Sequence, residues 1–422
     1  MAAGDLADAE TLLLDAVADW EAVRRDVVDD QQHVDLLESQ AQAYRALQTC
    51  RLAAGDVAGG LEAVERARGR SLLRRLRSRR PVGGGPASSE LPAPEKLPAL
   101  ADPLDGVRMP AALTAAAMVE LAALRSTGFL VYSLVGPVAD PGEAGVVAGL
   151  HIWYVDATGI EHARVGADEL KSFRATDPQA DAYLGLTREL LVPDFADHYA
   201  VADVDACSQL LIGAVAGALR RSRAELLVVV PDGELDRVPF AALRSGPGES
   251  LIDRWPVTVM PSVALVAELA GRAVTPAALA RRILAVGNPS PPDTPIAPGL
   301  PVPRLPSLTH AEREARRVAA DYGATALIGA AATRAAVLST LPGCEVVHFA
   351  THGMYGADTG VTPGALCLSP SGDDDGYLRA DDITGLDLTS CQVVLLSACR
   401  TGWAASTASV TAVDRRGRGR TG

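Results

Sequence analysis

Cys399 and His352 are the residues whose types and placing allow joint chemistry. A cysteine thiolate is a nucleophile, and a histidine beside it carries protons to and from the reacting groups. Each stands at the abrupt end of an apolar run. Val393-Val394-Leu395-Leu396-Ser397-Ala398 precedes the cysteine, and Val346-Val347-His348-Phe349-Ala350-Thr351 precedes the histidine. Buried parallel strands deliver reactive groups to the carboxyl edge of an α/β sheet in this way. The separation of 47 residues leaves room for a crossover, so the two strands can be neighbours.

His348, four residues before His352, invites a metal-ligand reading. Two ligands at that spacing need one helix face, whereas this run is β-branched, is broken by Gly353 and has no Glu after His348. The favoured reading is a strand residue turned away from the site, with no metal and no cofactor. The six cysteines show no CxxC pair and no zinc spacing. Cys50, Cys207, Cys344, Cys367 and Cys391 read as buried, reduced thiols of a cytoplasmic protein.

With these residues in view, the chain resembles the bacterial CHAT-domain family, caspase-like cysteine peptidases often joined to tetratricopeptide repeats. Pro231-Asp232-Gly233-Glu234-Leu235-Asp236-Arg237-Val238-Pro239-Phe240-Ala241-Ala242-Leu243 is similar to the family's early strand-turn-strand signature. Met260-Pro261-Ser262 resembles the family's next strand-to-helix junction. Leu305-Pro306, Glu312, Glu314 and Ala315 resemble the loop and helix leading to a Gly-Ala-x-Ala-Thr segment, here Gly329 to Thr333. The His-to-Cys separation is also near the roughly 50 residues of caspases.

The resemblance implies an α/β, caspase-like three-layer αβα fold with a mostly parallel sheet, over residues 109–402. It implies a cysteine endopeptidase acting on a protein partner, with Cys399 as nucleophile and His352 as proton carrier. In caspase-like enzymes the N–H groups matching Gly353 and Cys399 form the oxyanion hole, and no third acidic residue is required. The resemblance stops at Trp403. Arg400 stands where the family carries a polar or acidic residue, and Thr401-Gly402 match. The segment Ala404 to Gly422 has no apolar periodicity and reads as a disordered tail. A truncation or frameshift would leave the catalytic domain C-terminally incomplete in this way. The alternative expectation is therefore a catalytically impaired scaffold or interaction protein, or a truncated gene product.

Two charged features stay open between readings. Arg400 would favour the Cys399 thiolate if it lies near the sulfur, and acidic substrates if it faces the groove. The run Asp373-Asp374-Asp375, with Asp381 and Asp382, reads as a solvated turn over Ser371 to Gly376 in preference to a pocket for Arg or Lys.

The bulk properties narrow the classes. An apolar content of 48% is ample for a packed core. A net charge of −13 argues against nucleic acid as a partner. No long uncharged apolar run and no basic, apolar leader argue against a membrane location. A protein substrate or regulatory protein is the expected partner.

Along the chain, residues 1–78 read as a helical, tetratricopeptide-like region. Helices around Tyr44 to Leu52 and Leu61 to Ala67 are joined by Gly55-Asp56, with an earlier helix over Thr11 to Leu37. One clear unit is too few for a solenoid, so the region is either a remnant or packs on the next domain. Eight arginines between Arg66 and Arg80 read as a solvated helix end. Residues 79–108 are a Pro/Gly-rich linker, 109–402 the CHAT domain and 403–422 the tail. Strands are expected at Gly128 to Val135, Gly149 to Val155, Leu226 to Val230, Ile283 to Val286, Val346 to Ala350 and Val393 to Ala398, the last four in one core sheet. Helices are expected at 112–123, 170–191, 204–219, 263–269, 310–320 and 334–341.

Overall fold

The computed structural model describes residues 3–26, 43–69, 73, 113–135, 149–166, 201–246, 248–270, 282–296, 302–354, 365–379, 382, 383, 386, 388 and 390–398. The expected helix at 170–191, the linker, Cys399, Arg400 and the tail lie outside the described residues. The chain divides into two compact units, Met1–Gly271 and Arg272–Ala405. It is a mixed α/β protein with parallel strand pairing and an N-terminal helical region.

The first unit opens with helices α1 (Ala3–Asp26), α2 (residues 43–53) and α3 (Val57–Ala67). Gly55 takes a φ of +80°, which L side chains rarely adopt, and Asp56 then caps α3 by accepting from the Gly59 N–H. Next come α4 (Ala115–Leu124), β1 (Thr127–Val135), β2 (Gly149–Asp156) and β3 (Gly159–Gly166). After α5 (Val201–Leu211) and α6 (Ala216–Arg221) come β4 (Leu226–Val230), β5 (Val257–Val259) and α7 (Val263–Ala270). The five strands form one sheet in the order β3-β2-β1-β4-β5, antiparallel from β3 to β1 and parallel from β1 to β5.

Both faces of this sheet are covered, which is why β1, β2 and β4 are apolar almost throughout. One face packs Phe129, Val131, Trp153, Val228 and Val230 against α3, α4 and α7. The other packs Leu130, Tyr132, Ile152 and Val229 against α5, Phe240 and Trp255. Leu61 and Val64 of α3 belong to the first of these cores, so this helix packs on the sheet and is no free-standing repeat. Arg68 is no solvated helix end either. It lies 3.2 Å from Asp232 and donates to the Tyr132 carbonyl.

In the second unit β6 (Ile283–Gly287), α8 (Thr309–Asp321), β7 (Leu327–Ile328), α9 (Arg334–Thr340) and β8 (Val346–Ala350) succeed one another. Then come the short strands β9 (Gly353–Met354), β10 (Ala365–Cys367) and β11 (Tyr377–Arg379), and finally β12 (Val393–Ser397). An all-parallel sheet runs in the order β12-β8-β6-β7. Helix α8 packs on the face carrying Ala285 and Val346, and α9 on the face carrying Leu284, Val286, Val347 and Phe349. Strands β9, β10 and β11 form a small antiparallel sheet.

Further expectations need correction. Leu226 to Val230 does not share a sheet with the later three core strands, because β1 and β5 occupy its two edges. A strand, Gly159–Gly166, was missed, since its polar Glu161, His162 and Arg164 lack the apolar content of its partners. The helix over 204–219 is interrupted by a tighter turn at Gly213–Val215. Cys50, Cys207, Cys344 and Cys367 are buried as expected, whereas Cys391 is half-buried.

Candidate active site

The carboxyl edge of the second sheet holds His352 and Gly353. Strands β8 and β12 are direct parallel neighbours, with Ala350 opposite Ser397 as their last pair. On each chain segment the candidate comes two residues later, His352 after β8 and Cys399 after β12. Cys399 itself is outside the described residues, so the thiol-to-imidazole geometry is a matter for proposal.

His352 is held from both sides of its own backbone. The buried Thr351 hydroxyl donates to the Cys367 carbonyl, and the Cys367 N–H donates to the His352 carbonyl over 2.8 Å. β10 thereby pins the turn after β8. The imidazole is half-buried, and its Nε2 lies 2.8 Å from the Pro306 carbonyl. A carbonyl only accepts, so Nε2 carries a proton, and in the neutral ring the lone pair is then on Nδ1. Gly353 opens β9 and pairs with Leu366.

The loop that brings the Pro306 carbonyl to His352 is organised by Asn288. This residue ends the central strand with a φ of 47°, a left-handed conformation that asparagine tolerates better than most. Its N–H donates to Ala350, and its side-chain oxygen accepts from the Leu308 N–H over 2.6 Å and from Ser307. Its amide donates to Glu312. Asn288 thus joins β6, β8 and the start of α8. Gly287, just before it, lets α8 come close: a Cβ there would lie 2.5 Å from the Ala315 Cβ and 2.7 Å from the Ala311 carbonyl.

His348 is buried on the α8 side. Its Nε2 lies 2.8 Å from Glu314 Oε1, and the Ser397 hydroxyl donates to the same oxygen over 2.7 Å. These bonds, the Ser397 bond foremost, hold the Glu314 carboxyl below its usual range despite partial burial. His348 binds no second histidine here, and among the described residues no group of three or more His, Cys, Asp or Glu could hold a metal ion.

The acidic run is tied into the fold. Asp374 pairs with Arg334 at 2.7 Å, Asp382 with Arg334 at 3.1 Å and Asp375 with Arg379 at 2.7 Å. Asp374 also accepts from the Gly376 N–H, so the expected turn is present and its carboxylates serve it, with Asp373 exposed.

Residues 203–416, just over half of the chain, match the family model of the CHAT domain. The chain belongs to the CHAT domain family. It is also similar to tetratricopeptide repeat protein 28 of Homo sapiens, 32% identical over 193 residues, covering 43% of this chain and 7% of that protein. The Mus musculus protein of the same name is 35% identical over 154 residues, 34% of this chain and 6% of its own length. The chain thus spans less than a tenth of the curated relatives it matches. Both names carry the tetratricopeptide repeat.

Within this CHAT domain the sequence singled out His352 and Gly353 and missed much of what holds them. Pro306 was visible within Leu305-Pro306, but it acts through a carbonyl that any residue would offer, so its type gave no sign of that role. Asn288 was legible only as an Asn-Pro turn signal after an apolar strand. Glu314 and Ser397 were visible as motif residues, but their meeting depends on α8 packing on the sheet face that carries Ala285, Val346 and His348. Among the described residues no helix is long and apolar enough to cross a membrane.

Proposed function

We propose that this CHAT domain is a caspase-like cysteine endopeptidase that cleaves a protein partner through Cys399 and His352. The observation that carries the reading is the bond from His352 Nε2 to the Pro306 carbonyl, beside the strand that leads into Cys399. With its Nε2 proton held by that carbonyl, His352 offers Nδ1 as base. Nδ1 accepts the Cys399 proton as the sulfur attacks the scissile carbonyl carbon. The oxyanion forms against the N–H groups of Gly353 and Cys399. His352 then returns its proton to the leaving amine as the C–N bond breaks, and water hydrolyses the thioester. A carbonyl orienting the imidazole removes the need for a third acidic side chain. The helices α8 and α9 on opposite faces of a parallel sheet are the arrangement a three-layer caspase-like fold requires.

The test is cleavage of a proteome-derived peptide library by the full chain, with Cys399→Ala and His352→Ala beside it. New amino termini in the wild type that are lost in both variants support the reading. Cleavage that persists in Cys399→Ala overturns it.

A scaffold role is the second reading, favoured by the exposure of Val394, Leu395 and Leu396 on the last strand of the sheet. A domain inert toward every peptide, yet cooperatively folded, would support that reading instead.

A further inference from the structure

We propose that Glu314 is a positioning residue for the Cys399–His352 centre, acting through His348 and Ser397. The inference rests on the cysteine peptidase reading and names what sets the distance between its two groups.

Glu314 comes from α8, His348 from the middle of β8 and Ser397 from the end of β12. Glu314 Oε1 is the shared acceptor, at 2.8 Å from His348 Nε2 and 2.7 Å from the Ser397 hydroxyl oxygen. Ser397 Oγ also lies 3.4 Å from His348 Nε2. A carboxylate accepts from both, so His348 bears its proton on Nε2. Its Nδ1 is buried with no partner among the described residues. That pattern excludes a serine-hydrolase triad, in which the carboxylate and the hydroxyl bond opposite nitrogens of the ring. The cluster therefore serves as a tie and has no nucleophile of its own.

What it ties matters for the chemistry. Backbone pairing of β8 and β12 ends at Ala350 and Ser397, two residues short of each reactive group. Among the described residues β12 is also an edge strand, with β8 as its neighbour. At that last pair, the Ser397–Glu314–His348 bonds add a described side-chain link between the end of β12, the middle of β8 and α8. α8 is itself fixed to the same edge by Asn288 at Leu308 and Glu312. The loop that presents the Pro306 carbonyl to His352 leads into this helix. One helix thus sets the imidazole through the Pro306 loop and the approach to the thiol through Glu314. Small displacements of reacting groups cost rate steeply, so reinforcing the last pair from which both reactive residues extend bears on their distance.

The experiment reads Cys399 directly and needs no substrate. The full chain is alkylated with iodoacetamide from pH 5 to 10, and modification of the Cys399 peptide is followed by mass spectrometry. His352→Ala defines the behaviour of an unassisted thiol. Glu314→Ala and Ser397→Ala are expected to fall on the order of tenfold in rate at neutral pH. Their profiles should move toward that of His352→Ala, with the melting transition retained. Glu314→Gln keeps an acceptor oxygen and should restore the rate to within about twofold of wild type. A wild-type profile in folded Glu314→Ala or Ser397→Ala overturns the positioning role. A wild type indistinguishable from His352→Ala instead overturns the dyad reading, so the two failures are separable.

Discussion

The two units each contain a sheet with parallel strands, and each sheet's carboxyl edge carries polar residues, yet the edges are used differently. In the first unit Asp232, two residues past β4, pairs with Arg68 and accepts from the Leu134 N–H over 2.7 Å. The N-terminus of α7 on the same edge is filled by Glu65, which accepts from Val263 over 2.8 Å and from Ala264. Arg68 and Glu65 both come from α3 or the turn just after it. The helical region thus consumes the donors and acceptors that an edge of this kind would offer a ligand. In the second unit the matching position holds His352, bound by one backbone carbonyl through one nitrogen and half-buried. Position on a strand end makes chemistry available, and the partners already present decide whether any is left.

The largest effect expected comes from breaking the second edge at its base. Gly287→Val would drive a Cβ and two further carbons into Ala315 and the Ala311 carbonyl, where even a Cβ has no room. A loss above about 3 kcal/mol is expected in chemical denaturation, with the first unit's far-UV signal persisting to higher denaturant. Parallel loss of both units would show that the edges are not independent.

The first edge carries a pH signature of similar size. Burial pushes the Glu65 carboxyl up to about 7 from 4.5, outweighing Arg68 and the two N–H donors. Between pH 4.5 and 7 the unfolded chain has lost this proton while the folded chain retains it. Stability from Glu65 is therefore full below 4.5 and falls as pH rises, by on the order of 3 kcal/mol by neutral pH. His162 works the other way, since burial and His151 depress it to about 4. Urea midpoints of wild type and Glu65→Gln from pH 4.5 to 7.5 separate the two. The wild type should lose stability relative to the variant as pH rises, and parallel curves would contradict the burial.

The elements of both edges were unequally legible. Strands β1, β2, β4, β6 and β8 announce themselves as apolar runs, because strands covered on both faces need no polar residue. β12 carries the same kind of run although it is exposed. His352 was legible as a polar break at the end of one. Asp232 was read as part of a motif, with no sign that Arg68 would neutralise it, since 164 residues separate the two. Which sheet a strand joins was not legible, as β4 and β6 are equally apolar and only long-range pairing distinguishes them. The same holds for Glu314 and Ser397, 83 residues apart and in contact only after α8 has docked.

A smaller effect tests how far the first edge depends on its own ion pair. Asp232→Ala leaves the Arg68 guanidinium, 14% exposed, and the Leu134 N–H without that carboxylate. A loss of roughly 2 kcal/mol is expected in the first unit's unfolding, part of the charge being rehydrated. Iodoacetamide modification of Cys399 should be unchanged, because none of the bonds described for His352, His348, Glu314 and Ser397 involves Asp232.

The smallest effect sharpens the contrast between covered and uncovered strands. Val228 in β4 is 1% exposed, whereas Val394 in β12 is 53% exposed, so one substitution meets opposite surroundings in two parallel strands. Val228→Thr buries a hydroxyl in an apolar core and should cost about 2 kcal/mol. Val394→Thr keeps a β-branched side chain and replaces a methyl that water already reaches, so its cost should stay within about 0.5 kcal/mol. Leu395 and Leu396 beside it are also exposed, which gives β12 an apolar surface on both sides. Anilinonaphthalene sulfonate fluorescence of the native chain should report that surface, and Val394→Thr combined with Leu396→Thr should reduce it without moving the melting transition. Unchanged dye binding, or a loss at Val394 as large as that at Val228, would mean that β12 is covered in solution. The exposed edge would then no longer favour a scaffold role.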